Sequence, residues 1–214
     1  MTYATMADRN AIENEKTWAE RNLPVTTYGM LTETAGKFPD RNAVTYQLMS
    51  APDAKAETLS WRELHAKSTQ VANMLRELGV GETDVVAFMM PNATETVLAF
   101  VGGQIAGIVN PINPLLEAEQ VAAILRETNA KVLVTLRSFP KTDVAQKAAA
   151  AVAMAPNVQT ILEVDLHRYL TGVKKLIVPL IRPKNPVTHN AKVLDFNKEM
   201  DSQPTTLQFA DSTE

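Results

Sequence analysis

The sequence contains no cysteine. This absence excludes disulfides, thiolate nucleophiles and cysteine-ligated zinc, and it is typical of a reducing compartment. Long apolar runs are also missing, because the longest one, residues 97–109, is interrupted by Gly102, Gly103 and Gln104 and is too short to cross a bilayer as a helix. The N-terminus lacks an apolar run of secretory-signal length. We therefore expect a soluble, cytoplasmic protein.

An excess of charge of one sign is absent as well. The formal net charge is −3 over 214 residues, so there is no overall basic field that would hold nucleic acid, and we expect no nucleic-acid partner. Histidine is scarce: none of His65, His167 and His189 has a second histidine or a carboxylate at the i, i+4 metal-ligand spacing on a predicted helix. They are predicted to be surface or packing residues.

Motifs of several enzyme classes are missing. No serine stands in a Gly-x-Ser-x-Gly elbow, and no Walker-type phosphate loop occurs. A dinucleotide fingerprint fails because Asp84 stands where a third glycine would follow Gly79 and Gly81. A group of carboxylates on one predicted helix is interpreted as a solvated face: Glu117, Glu119 and Glu127. Spacing alone therefore assigns no catalytic, cofactor-binding or metal residue.

What is present is an apolar content of 45%, enough for a substantial core, in strand and helix patterns that alternate. Residues 85–90 are apolar at successive positions, as in a strand covered on both sides. The alternation predicts an α/β fold with a mostly parallel sheet flanked by helices on both faces. The predicted strands are 43–46, 58–60, 85–90, 107–110, 131–135 and 158–164, and the predicted helices begin after Ser60 and Asn92 and span 117–128 and 143–154.

The first long helix has clear end signals. Ser60 and Glu63 have the spacing of a capping box, and Gly79 occupies the position of a left-handed C-terminal residue. The helical period predicts a buried stripe of Leu64, Val71, Leu75 and Leu78.

The second long helix is predicted by similar signals. Asn92 and Glu95 are expected to cap its start, and Gly102 and Gly103 are expected to permit close packing. The expected buried face consists of Val97, Leu98, Val101 and Ile105.

Three regions follow from these patterns: a polar arm at 1–27, an α/β unit at 28–164, and an irregular segment with an acidic tail at 165–214. Residues 165–192 carry an excess of five positive charges together with an apolar run at 176–181. Such a mixture can lie at a membrane surface. The alternative, which we favour, is an inserted, partly mobile loop whose apolar residues pack on the body of this chain or on a part of the protein outside it, since Pro179 interrupts a continuous helix.

Several short motifs occur in a familiar order along residues 28–135. They are Phe38-Pro39-Asp40-Arg41 before the strand at 43–46, Thr58-Leu59-Ser60-Trp61-Arg62-Glu63-Leu64, Gly79-Val80-Gly81 before the strand at 85–90, Met90-Pro91-Asn92, and Ala106-Gly107-Ile108-Val109-Asn110-Pro111-Ile112-Asn113-Pro114 before the strand at 131–135. This order resembles the N-terminal part of the superfamily that joins acyl-CoA synthetases, peptide-synthetase adenylation domains and luciferases. Trp61 replaces the tyrosine usual in the first core motif.

The resemblance implies a fatty or aryl acid–CoA ligase that forms AMP and uses ATP, coenzyme A and Mg²⁺, with a carboxylic acid as substrate. The matched segments build the fold, so no site residue is carried over. The family's phosphate loop, ending Gly-x-Pro-Lys, and its C-terminal lysine do not occur in the sequence, and we expect the 214 residues alone to be inactive.

Asn113 favours an acyl-CoA synthetase, since amino-acid-activating members tend to have aspartate there. An amino-acid adenylation fragment and a non-catalytic interaction or regulatory module, or truncated reading frame, remain alternatives. The resemblance also leaves a homodimer open.

Overall fold

The computed structural model describes residues 4–50, 54–185 and 187–211. The described residues form eight α-helices and seven β-strands. The helices are α1 (Met6–Glu13), α2 (Thr27–Lys37), α3 (Trp61–Glu77), α4 (Thr94–Ala106), α5 (Ala118–Glu127), α6 (Val144–Ala153), α7 (Gly172–Ile177) and α8 (Phe196–Asp201). The strands are β1 (Asn42–Gln47), β2 (Ala56–Ser60), β3 (Val85–Met89), β4 (Ile108–Pro111), β5 (Val132–Leu136), β6 (Thr160–Val164) and β7 (Lys192–Asp195).

Five strands form a parallel sheet in the order β4-β3-β5-β6-β7. Every residue of β5 is buried, and β3 is buried except at Val85, which is half-buried. This burial explains why both strands are apolar at nearly every position, because helices cover both faces of the sheet. The prediction of a mostly parallel sheet is confirmed.

The helices form a layer on each face. Helix α3 packs on α4, with α2 and α8 beside α3, whereas α5 packs on α6. Strand β4 lies on one side of β3, and β5 and β6 lie on the other side. Since β-α-β crossovers are right-handed, α4 covers one face of the sheet, and α5 and α6 cover the other. The predicted α/β fold with helices on both faces is therefore correct.

Helix α3 begins and ends as predicted. The hydroxyl of Ser60 accepts a hydrogen bond from the Glu63 amide at 3.3 Å, and the Ser60 amide donates to the Glu63 carboxylate at 2.8 Å. Gly79 adopts φ +83°, a left-handed conformation that costs little without a Cβ. Of the predicted stripe, Leu64, Val71 and Leu75 are buried, and Leu78 at the helix end is partly buried.

The predicted start of α4 is wrong. Its N-cap is Ala93, which offers no side-chain bond, and Asn92 is exposed. Glu95 does not return to the cap, because its side chain is fully buried and binds distant residues. The buried face also differs from the expected one: Val97, Val101 and Ile105 are only partly buried, and the fully buried positions include Leu98, Ala99, Gly102 and Ala106.

A separate antiparallel pair joins β1 to β2. The connection between these two strands lies in part outside the described residues. The arm at the N-terminus contains α1, which buries no residue and is capped by Thr5 and Asp8.

The sequence pattern does not predict β7 or α8, although both lie in the range 165–214. Strand β7 pairs in parallel with β6, and α8 buries Phe196 and Met200 against the core. The chain after α8 returns to α3, where Asn73 donates hydrogen bonds to the carbonyls of Pro204 and Thr206 at 2.9 Å each.

Between β6 and β7 the chain forms a short 3-10 helix, Leu166–Tyr169, then α7 and a second 3-10 helix, Val178–Ile181. No helix among the described residues is both long and apolar enough to cross a membrane.

Candidate functional site

The carboxyl edge of the parallel sheet is where ligands bind in open α/β folds, beside the point at which strand order reverses. Here the order reverses at β3, which neighbours both β4 and β5. Charged residues gather at the same edge, at the ends of the three strands farther along the sheet. They are Arg137 after β5, Glu163 and Asp165 at the end of β6, and Asp195 at the end of β7.

Arg137 lies at the centre of this carboxyl-edge cluster. Its Nε is 3.2 Å from Glu163 Oε2, and its Nη1 is 3.5 Å from Asp165 Oδ2 and 4.0 Å from Asp195 Oδ2. Asp165 also accepts two hydrogen bonds from Arg182 Nη2, at 2.8 and 2.7 Å.

Burial by itself raises the pKa of the Asp165 carboxyl, but hydrogen bonds from Arg182 and the His167 amide, with the charge of Arg137, hold that pKa below its usual value. The two arginines and three carboxylates satisfy one another, which is the arrangement of a structural ion-pair network. Among the described residues no group of histidine and carboxylate side chains could hold a metal ion.

A second polar cluster surrounds Glu95 on α4. The Glu95 Oε1 atom accepts hydrogen bonds from Arg168 at 2.6 Å and from Asn197 at 3.1 Å, and Oε2 accepts from the Tyr169 hydroxyl at 2.7 Å. Arg168 extends the cluster to Glu57 on β2, to which it also donates. Four separate parts of the chain therefore meet at one buried carboxylate.

Burial and neighbouring charges shift the pKa values of two members of this Glu95 cluster. Burial and the Glu95 charge raise the pKa of Tyr169. Burial would raise the pKa of Glu57, but hydrogen bonds from Arg168, together with the Arg168 charge, lower it overall. No local pattern marks this cluster, because the partners of Glu95 lie 73, 74 and 102 residues away from it in the sequence.

A cavity of about 330 Å³ opens next to the Glu95 cluster. It lies between the β1–β2 connection and the start of α7, and its lining includes Met49, Lys55, Tyr169, Val173 and Lys174. Its walls supply apolar surface and two ammonium groups, and it holds no glycine-rich backbone cradle for phosphates.

The structure brings none of the three histidines into a shared site. His65 stacks on Tyr28 with ring centroids 5.1 Å apart, and His167 Nε2 lies 2.7 Å from the carbonyl oxygen of Lys175. His189 lines a separate shallow depression with Asn190. The predicted packing and surface roles are confirmed for His65 and His167.

The three carboxylates on α5 and at its N-cap face solvent, as predicted. Glu117, Glu119 and Glu127 are exposed, and Glu117 pairs with Lys147 at 3.1 Å.

Known proteins resemble this chain in sequence and in fold. Residues 31–192 match the family model described as "AMP-binding enzyme". The match covers most of the chain, including the full run of strands from β1 to β6. The chain belongs to the AMP-binding enzyme family.

Two curated relatives of this AMP-binding family member are CoA ligases by name. It is 29% identical over 176 residues to the long-chain-fatty-acid–CoA ligase of Bacillus subtilis, which covers 81% of this chain and 28% of the relative. It is 30% identical over 132 residues to the marinolic acid–CoA ligase of a Pseudoalteromonas species, covering 62% of this chain and 20% of the relative. The chain thus spans less than a third of the length of these relatives.

A solved structure shares the fold. The anthranilate CoA ligase AuaEII, crystallised with anthranoyl-AMP, superposes with a TM-score of 0.64 and 22% identity, covering 90% of this chain and 31% of the ligase. At this identity the similarity concerns the fold.

Proposed function

We propose that this chain is the N-terminal portion of an AMP-forming acyl-CoA ligase that activates a fatty or aryl acid. The observation that carries the proposal is the match to a long-chain-fatty-acid–CoA ligase over 81% of the chain, together with the family match at 31–192. The core motifs at 58–64 and 106–114 support it, because they coincide with the start of α3 and with β4.

The proposed reaction has two halves. The acid's carboxylate attacks the α-phosphate of ATP and releases pyrophosphate, and the thiol of coenzyme A then displaces AMP from the acyl-adenylate. Mg²⁺ would neutralise the phosphates.

The residues of this chain do not fit ATP or Mg²⁺ by themselves. The arginines of its two charged clusters are already paired with carboxylates of the same chain, and the sequence lacks a serine-, threonine- and glycine-rich loop ending in Gly-x-Pro-Lys. We therefore assign no catalytic, cofactor-binding or metal residue within it, and we propose that the 214 residues alone are inactive. Their contribution would be the sheet and helices against which a phosphate-binding part packs.

Pyrophosphate exchange tests the proposal directly. The purified 214-residue chain should not exchange labelled pyrophosphate into ATP in the presence of fatty, aryl or amino acids, because positioning and electrostatic stabilisation of phosphates are the main devices of such chemistry. Exchange that depends on a carboxylic acid would contradict the inactivity.

The codons after Glu214 test the parent activity. A phosphate loop and a C-terminal lysine domain encoded there would support a ligase, and that longer protein should release pyrophosphate with a fatty or aryl acid. Release with amino acids alone would favour an adenylation domain. A genuine stop codon would favour a non-catalytic interaction or regulatory module. The cytoplasm is the compartment we propose, in keeping with the lack of cysteine.

A further inference from the structure

The segment from Gly172 to Ile181 carries apolar side chains that face solvent. It comprises α7 and the 3-10 helix that follows. Five side chains repeat at the spacing of one side of a helix and are largely exposed: Val173 69%, Leu176 74%, Ile177 45%, Leu180 84% and Ile181 56%. We call these five residues the 172–181 stripe. In a helix of a globular domain such a stripe normally faces the core.

The segment bearing the stripe is anchored to the body of the protein. His167 Nε2 lies 2.7 Å from the carbonyl oxygen of Lys175 at the middle of α7. Beyond the stripe, Arg182 donates two hydrogen bonds to Asp165 and one to the carbonyl of Ser138 at 3.2 Å. Lys175 lies between residues of the stripe and Arg182 follows it, and these two anchors hold the apolar side chains outward. The prediction that they pack on the body of this chain is therefore wrong, whereas packing on a part of the protein outside this chain stays a prediction.

Charge around the stripe has a single sign. No aspartate or glutamate occurs from residue 166 to residue 194. Lys174 and Lys175 are exposed in α7, and within the described ranges neither they nor Lys184 form a salt bridge. Lys55 lies across the adjoining cavity from α7. The surface therefore combines exposed apolar side chains with cations that no carboxylate of the described chain neutralises.

We propose that the 172–181 stripe binds the surface of an anionic lipid bilayer. The apolar side chains would enter the boundary between headgroups and acyl chains, and the neighbouring lysines would contact headgroup phosphates. A second copy of the chain is a poorer occupant, because it would bring the same positive charge against this surface. The surface is independent of the ligase activity proposed above, and its test needs no turnover.

Vesicle co-sedimentation measures this binding. The 214-residue chain should bind vesicles that contain phosphatidylserine more strongly than vesicles of phosphatidylcholine alone, and added salt should weaken binding. The K174Q/K175Q variant should bind about 25-fold more weakly, because each lysine near such a surface contributes about fivefold. L176Q/L180Q should also lose binding. Arg182 is unsuitable for substitution, since it anchors the segment through Asp165.

Two control variants test whether the position of the substituted lysines and leucines matters, or only the loss of charge or apolar surface. K16Q/K37Q removes the same charge from exposed lysines elsewhere, and Leu115→Gln removes an equally exposed leucine, 81% against 84% at Leu180. Both controls should bind as the unaltered chain does. Circular dichroism and the thermal midpoint of each variant should show that the fold is kept.

Three results would overturn the proposal. One is an unaltered chain that does not sediment with anionic vesicles at low salt. Another is an equal loss of binding in K16Q/K37Q. The last is a concentration-dependent dimer, seen by analytical ultracentrifugation, that L176Q/L180Q abolishes, because it would assign the stripe to a second copy of the chain.

Discussion

The buried charged side chain of Glu95 has hydrogen-bond partners for both of its oxygens. Glu95 has no exposed surface, and its two oxygens accept hydrogen bonds from Arg168, Tyr169 and Asn197. A buried carboxylate without such partners would be strongly disfavoured, and removing one member of a buried pair leaves the other uncompensated. The cluster thereby fixes how β2, α4 and the Leu166–Tyr169 turn meet.

Replacing Glu95 by alanine should therefore destabilise the fold. We expect the free energy of unfolding to fall by about 3 kcal/mol, because Arg168 loses one of its two carboxylates and the Tyr169 hydroxyl loses the nearer of its two acceptors. Urea unfolding at neutral pH measures it. Glu33→Ala, an exposed glutamate of α2, is the control and should change stability by less than about 0.5 kcal/mol. Equal effects would show that the cluster contributes little.

Asp165 should make stability depend on acidity. Its pKa is lowered in the folded state, so the stability it contributes is present above its unfolded pKa of about 4 and is lost as pH falls through the folded value. The difference in unfolding free energy between the unaltered chain and Asp165→Asn should be largest near neutrality and should shrink in acid. Urea titrations from neutral pH to pH 3 test this. A difference that grows in acid would contradict the assigned direction.

Helices α3 and α4 pack closely because small residues line the contact between them. A Cβ built on Gly102 would stand 2.6 Å from Val71 and 2.9 Å from the Ser68 carbonyl oxygen. A Cβ on Gly103 would stand 2.6 Å from Val109 on β4. The predicted close packing at both glycines is confirmed, and it explains why the buried face of α4 is made of small residues.

Two glycine-to-alanine substitutions should change the free energy of unfolding in opposite directions. Gly102→Ala should lower the unfolding free energy by about 1–3 kcal/mol, because the new methyl overlaps Val71 and backbone that cannot easily move. Gly36→Ala should raise it by about 0.5–1 kcal/mol, since Gly36 lies in α2 with open space around it. Thermal and urea unfolding of both proteins would measure the contrast. Stabilisation by Gly102→Ala would mean that α3 and α4 can separate without cost.

At the scale of the whole molecule, one hydrophobic core joins the parallel sheet to both helix layers. It includes Leu59 of β2, Leu133 in the centre of the sheet and Phe196 of α8. At the carboxyl edge of this sheet both arginines are paired with carboxylates of the same chain.

The shared core predicts a single cooperative unfolding transition for the 214-residue chain. In scanning calorimetry, the calorimetric and van't Hoff enthalpies should agree, because the sheet and both helix layers lose their packing together. Two resolved transitions, or a broad melt without a heat-absorption peak, would show that the chain needs further polypeptide to fold.

Three features could be predicted from the sequence: the alternation of strands and helices from β1 to β6, the ends of α3, and the family. These features are encoded locally, since a capping box, a left-handed glycine and a fully apolar strand each depend on residues close together in the chain. The family motifs could be recognised for the same reason, as each is a short contiguous run.

Tertiary contacts determine the role of Glu95, the small-residue face of α4, the addition of β7 to the sheet and the exposure of the 172–181 stripe. A capping glutamate and a buried one have the same local sequence, and what separates them is Arg168, 73 residues away. Likewise, an apolar stripe at helical spacing is normally buried, and here anchors at His167 and Arg182 hold it toward solvent. Contacts between distant parts of the chain determine these features, so the periodicity of a single segment cannot predict them.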